Sequence, residues 1–87
     1  MPDVMIEADH ELRWREPVWV KVGFNVPEPI RGPRQALNYL TFRWPHLRGD
    51  HVRQAMRQCK LALHKELECD VAHAAFVRAA QEAEMIA

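Results

Sequence analysis

The stretch Trp44-Pro45-His46-Leu47-Arg48-Gly49-Asp50 decides how the chain is read. Proline disfavours helical geometry at the residue before it, so Trp44 closes one helix. Gly49 permits a positive φ, and Asp50 can accept hydrogen bonds from the free amides that open another helix. The stretch is therefore a corner between two helices, with Trp44 set into the core.

On the N-terminal side of this corner the pattern predicts a first helix from about Pro33 to Arg43, with Pro33 suited to its first turn. Ala36, Leu37, Leu40 and Trp44 form its apolar stripe, widened by Tyr39 and Phe42. On the other side a second helix is expected from about Asp50 to Lys65. Val52, Ala55, Met56, Cys59, Ala62 and Leu63 recur there at helical spacing. Leu67-Glu68-Cys69-Asp70 reads as a short connection. A third helix then runs to about Met85, burying Ala72, Ala75, Phe76, Ala79, Ala83 and Ile86. Its alanines admit close helix contact, and Phe76 supplies the bulk.

Upstream of the first helix the period changes. Val18, Val20 and Val22 alternate with Trp19, Lys21 and Gly23 after Pro17, which indicates a half-buried strand. Phe24-Asn25-Val26-Pro27-Glu28-Pro29 is turn chemistry, with Asn25 able to take the left-handed conformation and the prolines blocking further pairing. Ile30-Arg31-Gly32 is the expected second strand, and a sheet of this size leaves an outer edge open to another chain. Residues 1–13 read as a flexible acidic arm. The sum is one α+β domain over residues 14–87, an N-terminal two-stranded antiparallel hairpin packed on three helices.

Composition narrows the function classes. The chain has 87 residues, 48% of them hydrophobic, and formal net charge zero. That is enough apolar material for one core without metal or disulfide staples. Overall neutrality argues against a generic nucleic-acid or membrane binder and leaves self-association unopposed by net repulsion. No run approaches the length of a membrane helix, which needs roughly 20 apolar residues, and no secretory leader is visible. Cys59 and Cys69 form no CxxC pair, so a reducing cytoplasm is expected.

The neutral total conceals a pattern. Residues 1–12 carry four acids and no Lys or Arg, a net of −4; residues 13–65 sum to +8; and residues 66–87 return −4. The acidic ends are expected either to fold back on the basic middle, in the same chain or a partner subunit, or to face an external ligand.

Several of these residues resemble those of a small bacterial family, domain of unknown function 982. The resemblance rests on Pro17-Val18 opening a strand, on Ala36-Leu37 and Leu40, and on the Trp44-Pro45 corner. It continues through Ala55 and Cys59 to Ala72, Phe76, Ala79-Ala80 and Ala83, spanning about residues 14–85. His73 departs from it, standing where similar proteins are expected to have arginine. The resemblance implies a compact bacterial domain and carries no activity or cofactor with it.

The chemistry-bearing residues do not assemble into a catalytic constellation, and neither enzyme nor cofactor is expected. Cys59, His64 and Cys69 suggest a metal site by type, but Cys59 and His64 point about 140° apart on a helical wheel. Cys59 falls among core residues, and Cys69 is flanked by Glu68 and Asp70, which disfavour a thiolate. The feature above background is basic. Arg53, Arg57, Lys60 and His64 form one stripe on the second helix, with Arg48 just upstream. Such a stripe can track phosphates; it can equally be a solvated face or pair with the acidic ends. The corner is longer than a helix-turn-helix turn. Finally, Trp14, Trp19, Phe24 and Leu61 are large apolar residues off the main stripes, either interface anchors or surfaces covered by the N-terminal arm. The expected role is a non-enzymatic protein-interaction module, homodimeric through the strand edge or Trp19. Nucleic-acid binding through the basic stripe is the alternative.

Overall fold

The structure is a computed structural model and describes residues 12–44 and 49–87. Residues 1–11 and the corner residues Pro45, His46, Leu47 and Arg48 lie outside the described residues, and with them most of the expected arm and one member of the basic stripe. The fold is α+β: strands β1 (Val18–Val20) and β2 (Glu28–Ile30) form an antiparallel hairpin. Helices α1 (Pro33–Phe42), α2 (Asp50–Leu63) and α3 (Cys69–Glu82) follow. α2 packs against both other helices.

The strand register gives Pro29 a place inside the sheet. Val18 pairs with Ile30, Trp19 with Pro29 and Val20 with Glu28. The Trp19 carbonyl turns away from β2 to accept the Ala87 amide at 3.0 Å. Trp19–Pro29 is thus a non-hydrogen-bonded pair, where a missing N–H costs no ladder bond. The expected second strand is accordingly shifted, ending at Ile30 and not running to Gly32. The positive φ of the hairpin loop falls on Gly23, at 59°, and not on Asn25, whose amide instead donates to the Val22 carbonyl at 3.0 Å.

Neither sheet edge is free, which corrects the expectation of an edge open to a second chain. Residues 85–87 lie against β1, with Ile86 bridged to Val20 and the Lys21 amide donating to the Met85 carbonyl at 2.8 Å. On the other side the Gln35 side chain takes over the edge. Its Oε1 accepts the Arg31 amide at 3.0 Å and its Nε2 donates to the Pro29 carbonyl at 3.1 Å. A side-chain amide presents one donor and one acceptor, so it substitutes for a neighbouring strand.

The helix ends also depart from the sequence reading. α2 stops at Leu63, not Lys65, and α3 at Glu82, not Met85, for the same reason. Lys65 and Glu84 take φ of 60° and 56°. The Glu66 amide then reaches the Leu61 carbonyl at 2.9 Å, and the Met85 amide reaches Ala80 at 2.8 Å. These are Schellman closures built on non-glycine residues. The second turns the chain back to the sheet, so Ile86 is 45% exposed and not part of a helical stripe. At the start of α2, Gly49 is the N-cap with φ −102°, an ordinary extended value. Asp50 does not cap the helix; its carboxylate accepts from Arg53.

The core joins both layers. Val18, Val20 and Ile30 from the sheet meet Leu40, Val52, Cys59 and Phe76 from the helices. Trp14 and Trp44 flank Phe76 with ring centroids 5.7 and 5.8 Å away. Phe42 does not widen the α1 stripe; it is 78% exposed. On a helical wheel it stands about 140° from the centre of the Ala36–Leu40 face, too far to reach the core. Gly32, by contrast, is fixed by space, since a Cβ there would meet the Leu12 carbonyl oxygen at 2.5 Å.

Candidate functional site

Helix α2 presents two opposed faces. Val52, Ala55, Cys59 and Ala62 are buried. About 150° around the axis stand Arg53, Arg57, Lys60 and His64, all exposed. Together with Met56 and Leu61 these four line an open groove of about 480 Å³. Four of the five residues read as a basic face are therefore brought together, and Arg48 lies outside the described residues. Met56 was expected in the core stripe. At its position on the wheel, between the core and the basic stripe, it is half-buried and lends its side chain to the groove.

The groove's charges are unequally committed. Arg53 is held by Asp50 at 2.5 Å. Arg57 and Lys60 have no ion-pair partner among the described residues. One strand of the expected folding-back of acidic ends is visible: Glu82 Oε1 lies 3.1 Å from His51 Nδ1, a close approach outside hydrogen-bonding alignment. It sits at the start of α2 and leaves the groove uncovered. Lys60 also falls in the last turn of α2, where a cation is favoured by the helix dipole.

The apolar candidates divide. Trp14 is not an interface residue; it is 6% exposed, its ring 4.9 Å from His73 and tilted against Phe76. Its amide donates to the Arg31 carbonyl at 2.8 Å, so the segment before β1 is sewn onto the sheet and carries the ring inward. Leu61 is half-buried within the groove. Trp19 is 48% exposed on the outer sheet face, and Phe24 is fully exposed in the hairpin loop with Val26. A further ion pair, Arg43 with Glu28, ties the end of α1 to the start of β2, and Arg43 lies over the Tyr39 ring at 4.6 Å. The hydrogen bond from Arg43 holds the Glu28 carboxyl below its usual range.

Neither cysteine has the surroundings of a nucleophile. Burial, with a smaller push from Cys69, raises the Cys59 thiol to about 12. Cys69 is raised too, by burial first and then by Asp70 and Glu68. Among the described residues no three His, Cys, Asp or Glu side chains are grouped to hold a metal ion. No helix among them is long and apolar enough to cross a membrane.

The sequence over residues 16–87, from the lead-in to β1 through the returning segment 85–87, matches the family described as "Protein of unknown function (DUF982)". The chain belongs to this family. The DUF982 match takes in the whole of α2 and its groove but not residues 1–11. An NMR structure of Agrobacterium tumefaciens protein Atu1219 is similar, with a TM-score of 0.73 and 29% identity over 88% of this chain and 77% of that one. No curated protein matches.

Proposed function

We propose that this DUF982 chain is a non-enzymatic protein-interaction module whose binding face is the α2 groove, and that the groove takes an acidic, amphipathic polypeptide segment. The observation carrying this reading is the combination of two cations, Arg57 and Lys60, without an ion-pair partner among the described residues, and an apolar lining from Met56 and Leu61. A phosphate backbone would use the cations but leave the apolar lining without a partner. An acidic peptide with interspersed apolar side chains uses both. Exposed charge pairs contribute little each, about 0–1 kcal/mol, so the apolar contacts supply most of the affinity and the charges its orientation and salt dependence.

Homodimerisation belongs to the same reading only through side-chain surfaces, with exposed Trp19 as the anchor, because both sheet edges are engaged. Free Cys59 and Cys69 support a cytoplasmic location. Nucleic-acid binding is the second reading, favoured only by Arg57 and Lys60 having no ion-pair partner among the described residues. Titration with a short peptide alternating glutamate and leucine, and with duplex and single-stranded oligonucleotides, separates the two. The interaction reading expects peptide binding that Lys60→Glu weakens by about tenfold at low salt. Oligonucleotide binding lost in Arg57→Glu, with none to the peptide, would overturn it.

A further inference from the structure

An open pocket of about 310 Å³ lies between the segment leading into β1 and the first turns of α1, and it shares no residue with the α2 groove. Arg13, Arg31 and Arg34 line it with Gln35 and Asn38, Leu12 forms an apolar wall, and no carboxylate lines it among the described residues. The backbone brings these cations together. The Trp14 amide bonds to the Arg31 carbonyl at 2.8 Å. Gly32 packs so closely that a Cβ there would meet the Leu12 carbonyl oxygen at 2.5 Å and the Arg13 Cα at 3.4 Å. Arg13 and Arg31 are thus neighbours across the two segments, and like charges so placed repel. Neither has an ion-pair partner among the described residues. Two guanidinium groups fixed side by side with no acid between them are the positive half of a site. We propose that this pocket binds a phosphoryl dianion, as free phosphate or as a small phosphate monoester.

Charge and donor geometry select the phosphoryl group. Near neutral pH it carries a charge of about −1.5 to −2, which matches Arg13 and Arg31 together, whereas one carboxylate would neutralise one of them and leave the other. Each guanidinium is a planar fork that meets paired oxygens with two hydrogen bonds. Gln35 adds a neutral donor in a fixed place. Its Oε1 accepts the Arg31 amide at 3.0 Å and its Nε2 donates to the Pro29 carbonyl at 3.1 Å, which leaves the second Nε2 hydrogen for a ligand. Asn38, one helical turn on, brings a further amide to the same pocket. Arg34 is already engaged and contributes only its positive field. The volume stands at the small end of the range for organic ligands, about 300–1,000 Å³, and Leu12 gives a small organic remainder an apolar surface. This site is independent of the α2 groove and stands or falls without it.

The test is an NMR titration of the full chain with inorganic phosphate, phenyl phosphate and acetate at matched ionic strength. Saturable shifts at Arg13, Arg31, Gln35 and Asn38 are expected with both phosphates and not with acetate. Tighter binding of phenyl phosphate would assign the site to a monoester, and tighter binding of inorganic phosphate to the free ion. Arg13→Gln and Arg31→Gln should each weaken binding about tenfold or more; both replace exposed side chains and keep the backbone bond between Trp14 and Arg31. Arg31→Lys keeps the charge but loses the fork, so it too should bind more weakly than wild type. For phenyl phosphate the affinity should also fall at about pH 5, once the ligand takes up its second proton near pH 6. Three results would overturn the proposal: shifts that do not saturate, shifts spread equally over Arg57 and Lys60, or an Arg31→Lys chain that binds like the wild type. Each would reduce the pocket to general attraction between exposed cations and any anion. Acetate binding as tightly as phosphate would overturn the choice of a phosphoryl group.

Discussion

Replacing Trp44 tests whether the corner organises the core. Trp44 is 7% exposed and meets Tyr39 edge-on at 6.2 Å and Phe76 at 5.8 Å, so one ring connects the end of α1 to the middle of α3. A buried tryptophan removes about 150–250 Å² from water, an upper bound of about 4–6 kcal/mol at the usual coefficient. Trp44→Ala is therefore expected to cost about 3–5 kcal/mol. A chain of this length has about 4–13 kcal/mol in all, so the variant should stand close to unfolding. Trp44→Phe should be much milder. It keeps a ring against Phe76 and Tyr39, and it deletes Nε1, a buried donor without an acceptor among the described residues. An unsatisfied buried donor costs about 1–3 kcal/mol, which offsets part of the lost volume. Urea unfolding followed by far-UV circular dichroism measures both variants. A Trp44→Ala midpoint within about 1 kcal/mol of wild type, at unchanged m-value, would refute the placement of Trp44 at the centre of the core.

Other expectations follow from single contacts. Lys65→Gly should stabilise the fold by about 0.5–1 kcal/mol, because it relieves the left-handed residue closing α2; a lower urea midpoint would contradict that strain. Gln35→Ala should cost about 0.5–1.5 kcal/mol and free the outer β2 edge, seen as concentration-dependent association by sedimentation; an unchanged midpoint and a monomer throughout would deny the capping role. The Cys59 thiol is raised in the folded chain, so the folded state retains that proton more tightly than the unfolded one. Stability from this group is complete below about pH 9 and is lost as pH rises towards 12. Thiol titration at pH 8 should show Cys69 reacting first and Cys59 only on unfolding; equal rates would place Cys59 near the surface.

The helices were legible because their apolar residues recur at one period over ten or more residues, and α2, whose buried and basic faces are opposed, was the clearest. The hairpin was legible from the alternation of Val18 and Val20, but its second strand was misplaced. Pro29 looks like a stop signal until the register shows that it occupies a position needing no N–H. Helix ends were overrun because Lys65 and Glu84 give no glycine signal for the left-handed turn they make. Trp14 was misjudged for a related reason. It lies outside any periodic run, and what buries it is a long-range bond from its amide to Arg31. The Gln35 cap left no trace in the sequence at all, since a glutamine on a helix face reads as solvated. Of the site, the cations were legible from spacing, whereas Met56 was hidden by sitting between the two stripes.

The central claim is that the α2 face binds an acidic, amphipathic polypeptide segment. The most direct measurement is an NMR titration of the full chain by the alternating glutamate–leucine peptide. The account predicts saturable shifts confined to residues around Met56, Arg57, Lys60 and Leu61, with the affinity weakened about tenfold by Lys60→Glu in a chain that remains folded. Shifts centred on Trp19 or the hairpin loop, or none at all, would contradict it.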